Sequence, residues 1–191
     1  MKATFALLAN SEIHNLVRKL SWEIHQRYRT GTRVAALPPH ISLKQPFRIK
    51  DLSALESYMQ ELADSILPFE VLLTELQVIP ISFEGMGYGL LWIDVEQTRE
   101  LRNLHNRLND GLNRRFGHTP ADFDGESYHF HMTIAMGSQS VETYRKFYSE
   151  IPNPKINLQI PVRELAMFVY DEPMGPNGEY LCYRILPIGR L

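Results

Sequence analysis

The chain spells out the same order of elements twice, and that repetition restricts its fold more than any single segment does. Apolar residues over 3–8 read as a strand. Ile13, Leu16, Val17, Leu20 and Ile24 then recur at helical spacing in a helix running to about residue 28. Asn10 or Ser11 is placed to cap its start, and Gly31 suits a left-handed cap at its end. A strand over 40–47 follows. A second helix begins at Asp51 or Ser53, with Ser53 and Glu56 at capping-box spacing and Leu55, Met59, Leu62 and Ile66 as its stripe. Strands over 69–78 and 87–95 come next, near a turn in GMGYG (85–89). The order then recurs: a helix over 98–116, a turn-rich loop, a strand over 128–137, and a helix from Ser140 to about 151. Strands over 158–169 and 180–186, joined by EPMGPNGE, close the chain. A repeat of this size is too long for a solenoid and predicts two lobes related by a pseudo-dyad. No linker divides them, so the expectation is one bilobal domain over 1–191, with the repeat boundary near 86/87.

Inside the repeat lies a finer one. HISL (40–43) and HMTI (131–134) are each histidine, apolar, hydroxyl, apolar, and each sits on the strand after the first helix of its half. With a period of two, His40, Ser42 and Lys44 share a face while Ile41 and Leu43 point to the core. His131 and Thr133 likewise oppose Met132 and Ile134. One such strand is an ordinary half-exposed strand. Two at equivalent places in a duplicated chain bring both histidines toward one shared cleft.

HISLKQPF and HFHMTIAMG resemble the paired His-x-Thr/Ser motifs of the 2H phosphoesterase superfamily, above all its 2′-5′ RNA ligase-like branch, whose first motif often continues with Lys and then Pro-Phe. The likeness spans the whole chain. It implies a metal-independent enzyme acting on 2′,3′-cyclic phosphates or related phosphodiesters, with 2′-5′ ligation as the reverse reaction. The corresponding architecture is α+β: two mainly antiparallel sheets bordering a central cleft, helices outside. The pattern departs from some relatives after the second motif. Met136 and Gly137 follow HMTIA with no basic residue at that end, whereas some relatives place an arginine close by, which favours a small or short substrate.

The chemistry also argues for two histidines on its own terms. In-line displacement at phosphorus takes a proton from the attacking oxygen and gives one to the leaving oxygen. Imidazole does either near neutral pH. His40 and His131 are therefore the expected acid–base pair. Ser42 and Thr133 are expected to donate to non-bridging phosphate oxygens, Lys44 to add positive charge, and His129 to flank the site. Two other readings stand beside this one. His40, His129 and His131 form a possible zinc triad, since His-x-His on a strand is also a metal-ligand spacing. Alternatively, the histidines contact phosphate in a non-catalytic RNA-binding module.

Net charge at neutral pH is −2, so any phosphate must be drawn by local groups. A single cysteine, Cys182, and the lack of a long apolar run lead to the expectation of a soluble cytoplasmic protein. The resemblance further implies no cofactor and, as partner, a nucleotide or short RNA bearing a 2′,3′-cyclic phosphate or 2′-5′ linkage. A monomer is expected, because two lobes already complete one site. Arg102, Arg107, Arg114, Arg115 and His118 gather toward the end of the third helix. They read as a solvated face or a contact for flanking RNA phosphates. DFDGE (122–126) reads as a flexible loop and a possible lid over His131. His105 reads as a surface or core-edge residue, and Tyr128 and Tyr170 as core or base-stacking aromatics.

Overall fold

In the computed structural model, residues 1–83, 86–137, 139–171 and 180–189 are described. The predicted joining segment 172–179 and Gly85 of the 85–89 turn lie outside these. The order is β1 (Lys2–Leu8), α1 (Ser11–Tyr28), a short 3₁₀ turn (Arg33–Ala36), β2 (His40–Ser42), β3 (Phe47–Arg48), α2 (Leu52–Ser65) and β4 (Phe69–Phe83). Then come β5 (Met86–Val95), α3 (Arg99–Phe116), β6 (His131–Met136), α4 (Val141–Ser149), β7 (Lys155–Val162), β8 (Glu164–Tyr170) and β9 (Tyr180–Pro187). Asn10, Asp51 and Thr98 cap α1, α2 and α3, each accepting from the backbone N–H three residues on. Asp51 rather than Ser53 opens α2, so Ser53 and Glu56 form no capping box. Arg29 rather than Gly31 takes the left-handed position that ends α1, at φ 55°.

Two antiparallel sheets form. One runs β2-β1-β8-β9, with β3 also on β1, and the other runs β6-β5-β4-β7. The expected α+β architecture is present, but the lobes are not the two sequence halves divided at 86/87. β4 leaves the first half to join the second sheet, while β8 and β9 leave the second half to complete the first. Element order repeats in sequence, but it does not record which sheet a strand joins. The predicted 158–169 strand also divides. It breaks at Arg163, β7 pairing with β4 and β8 with β1. Pro161 is tolerated because β7 is an edge strand.

A continuous apolar core unites the sheets, drawing Phe5, Leu7 and Ile41 from one and Leu91, Ile93, Met132 and Ile134 from the other. The first helix reinforces the join. Ser21 Oγ, buried in α1, donates to the carbonyl of Ile134 in β6 at 2.6 Å. The motif strands β2 and β6 are the edge strands of their sheets and touch one another. No helix among the described residues is long and apolar enough to cross a membrane.

Candidate functional site at the meeting of two edge strands

Both motif strands alternate as their sequences require. Ile41, Met132 and Ile134 are fully buried, and His40, Ser42, His131 and Thr133 are half-buried on the opposite face. In β2 the register sets His40 opposite Leu8 and Ser42 opposite Ala6. In β6 it sets His131 opposite Asp94 and Thr133 opposite Trp92. The two histidines are close enough for the charge of His131 to act on His40.

The pseudo-symmetry extends to hydrogen bonding. His40 Nδ1 lies 2.8 Å from the carbonyl of Pro38, and His131 Nδ1 lies 3.0 Å from the carbonyl of His129. In each case the partner is two residues upstream and is a pure acceptor, so Nδ1 carries the proton. In each neutral ring Nε2 is then left with its lone pair. The Pro38-Pro39 pair fixes the backbone that presents the first acceptor.

Burial governs the protonation of both rings. Desolvation pushes His40 down to about 4, against the bond to Pro38, and the charges of His131 and Arg18 push the same way. The ring of His40 meets Phe168 edge-on at 4.6 Å, which accounts for part of its dry setting. Burial also lowers His131. The bond to the His129 carbonyl and the charge of Asp94 oppose this, while His129 adds to it. Trp92 backs His131, the rings stacked at 4.0 Å, and His129 stacks on the same indole at 5.4 Å.

His129 lies at the rim, with its Nε2 2.5 Å from Asp94 Oδ1. It supports His131 through its carbonyl and its place on Trp92. Among the described residues no three His, Cys, Asp or Glu side chains converge as a metal site, and the proposed His40, His129 and His131 triad does not form one.

Lys44 is placed differently from the sequence expectation. β2 ends at Ser42, so the period-two reading stops there, and Leu43 and Lys44 both turn inward. The ammonium of Lys44, 1% exposed, pairs with Asp124 and donates to Asn109 Oδ1 at 2.5 Å. The DFDGE segment is held by this pair rather than free to act as a lid. Arg102 donates to the carbonyls of Gly125 and Tyr128. His105 is fully buried, and Tyr128 is buried against it at 4.4 Å.

Sequence reasoning did not single out Trp92 and Asp94 beside His131, or Arg18 beside His40. The alternation LLWIDV carried the signal for the first two, since Trp92 and Asp94 share a face of β5 and Leu91 and Ile93 are core. Arg18 had no signal, because its place depends on the 35–37 loop whose carbonyls it binds.

Two related edge strands of separate antiparallel sheets, each presenting a histidine and a hydroxyl, define a bilobal fold shared with solved proteins. The Thermus thermophilus protein TT0787 superposes with a TM-score of 0.67 at 16% identity, covering 99% of this chain and 98% of that one. Escherichia coli LigT complexed with NADP+ gives 0.57 at 20% identity over the same shares. Residues 11–173 match the 2′-5′ RNA ligase superfamily, and the chain belongs to that family of 2H phosphoesterases. A Staphylococcus haemolyticus protein named a candidate phosphoesterase is 28% identical over 151 residues, 76% of this chain and 80% of that protein. A Geobacillus protein of the same description is 22% identical over 99% of this chain and 97% of its own length.

Proposed function

We propose that this phosphoesterase hydrolyses 2′,3′-cyclic phosphates or related RNA-type phosphodiesters without a metal, using His40 and His131 as the acid–base pair. The observation that carries the reading is the matched tautomer. Both rings spend Nδ1 on a carbonyl two residues upstream and keep Nε2 for chemistry. His40, held neutral by its dry setting, acts as base toward the attacking water. His131, with Asp94 opposite, acts as acid toward the leaving oxygen. Ligation uses the same two transfers with a 5′-hydroxyl in place of water: His40 takes its proton as it attacks the cyclic phosphate, the P–O3′ bond breaks, and His131 protonates the departing 3′-oxygen, leaving a 2′-5′ bond. Ser42 and Thr133 donate to the non-bridging oxygens. A nucleotide-bearing substrate is supported by the Escherichia coli LigT structures, which were solved with 3′-AMP, ATP and NADP+. The metal-dependent alternative loses support because His129 engages Asp94 with Nε2.

The test is hydrolysis of nucleoside 2′,3′-cyclic monophosphates and of short RNAs with cyclic ends, in excess EDTA, from pH 4 to 9. Turnover should survive chelation, and each of His40→Ala and His131→Ala should lose about 10²–10⁴ in kcat. Activity abolished by EDTA and restored by zinc would refute the reading. So would a histidine variant with wild-type kcat.

A further inference from the structure

His40 and His131 belong to different sheets, and β2 is only three residues long. Acid–base catalysis across one phosphorus requires the two imidazoles to keep a fixed separation. An error of about 1 Å in such a placement costs about a hundredfold in rate. Three register pairs to β1 hold β2 within its own sheet, and nothing in that pairing refers to His131.

The reference comes from the residues of the first motif that follow His40 and Ile41. The carbonyl of Ser42 accepts the hydroxyl of Tyr128 at 3.0 Å. The carbonyl of Leu43 accepts from His105 Nδ1 at 2.7 Å. His105 Nε2, thereby unprotonated, accepts the N–H of Gly125 at 3.1 Å. The ammonium of Lys44 pairs with Asp124, whose Oδ2 also accepts the Ala121 N–H at 3.1 Å and closes the turn. Three consecutive residues of the first motif are thus tied to the 121–128 segment, directly or through His105. Tyr128 stands three residues before His131, in the same run of chain. Asp124 Oδ1 is buried with no partner among the described residues, so this carboxylate relies on Lys44 for compensation.

We infer that Lys44 and Tyr128 are positioning residues, latching the segment ahead of β6 to the end of β2 and so setting the separation of His40 and His131. The inference rests on the two-histidine reading above. It replaces a substrate-binding role for Lys44 with one exerted from behind the site.

Tyr128→Phe removes one tie and keeps the ring on His105. Lys44→Met alone strands a half-buried carboxylate whose Oδ1 is sealed from solvent, so it is paired with Asp124→Asn. Lys44→Arg is the conservative control. The first readout is hydrolysis of a nucleoside 2′,3′-cyclic monophosphate at a temperature where each variant is fully folded by circular dichroism. Tyr128→Phe and the Lys44→Met/Asp124→Asn pair should each lower kcat about ten- to a hundredfold with KM within about twofold. Lys44→Arg should recover part of the loss. The second readout needs no turnover: the NMR titration of His40, whose midpoint is held down by burial and by His131, should move upward in Tyr128→Phe. Folded variants with wild-type kcat, or with an unmoved His40 titration, would overturn the latch. The underlying reading fails separately, if His40→Ala or His131→Ala retains turnover.

Discussion

Neutral His40 has a cost on acidification that can be measured without any substrate. In the folded protein its pKa is pushed down to about 4, whereas in the unfolded chain it takes the ordinary value of 6.5. Above 6.5 neither state is protonated and the histidine contributes nothing to pH dependence. As pH falls below 6.5 the unfolded chain binds the proton first, so stability declines until the folded ring also titrates near 4. Linkage over that interval gives about 3 kcal/mol at pH 4, a large fraction of the roughly 5–15 kcal/mol that holds a domain together. His40→Asn keeps an N–H donor for the Pro38 carbonyl and removes the titration. Urea denaturation of both proteins at pH 7 and pH 4 isolates the effect, provided m is unchanged. The wild type should lose about 3 kcal/mol more than the variant between the two pH values. His131 and His105, also lowered by burial, act in the same direction but are present in both proteins. Equal acid losses in the two proteins would refute the claim that desolvation holds His40 neutral, and with it the assignment of His40 as base.

Two further outcomes concern the support of His131 and the packing of the helices. Asp94 raises the pKa of His131, so Asp94→Asn should move the alkaline limb of kcat/KM to lower pH and leave the acid limb in place; a limb that stays put or moves up excludes Asp94 as its support. Gly111→Ala should destabilise by about 1–3 kcal/mol in urea melts, because its methyl would fall 2.1 Å from the Tyr58 hydroxyl where α3 crosses α2, and Tyr58→Phe should relieve part of that loss.

The parts of the site legible in the sequence are those written locally. The alternation in HISL and HMTI fixed which side chains face away from the core, and the repetition singled out these two histidines among seven. Lys44 was misplaced because period two holds only while a strand lasts, and β2 stops at Ser42. His105 and Tyr128 carried no local sign of their roles, since their partners are sixty to ninety residues away and reached only through the fold. The left-handed position after α1 fell to Arg29 although Gly31 has the lower intrinsic cost, because the bond from Arg29 N–H to the His25 carbonyl already ends the helix there. Strand membership was the least legible property, since a turn of one residue at Arg163 redirects the chain from one sheet to the other.

That exchange of strands bears on how the molecule comes into being. β1 is flanked by β2, its near neighbour in sequence, and by β8, with Lys2 opposite Tyr170. The edge of β1 that receives β8 therefore stays unpaired until residues 165–170 have been made. The β4–β7 sheet, contiguous from 69 to 162, is by contrast complete within its own stretch. Pairings of such long sequence separation form slowly. The middle sheet, with the shorter sequence separations, is expected to form first and to present a surface on which β1 and β8 are later joined, giving His131 its framework before His40.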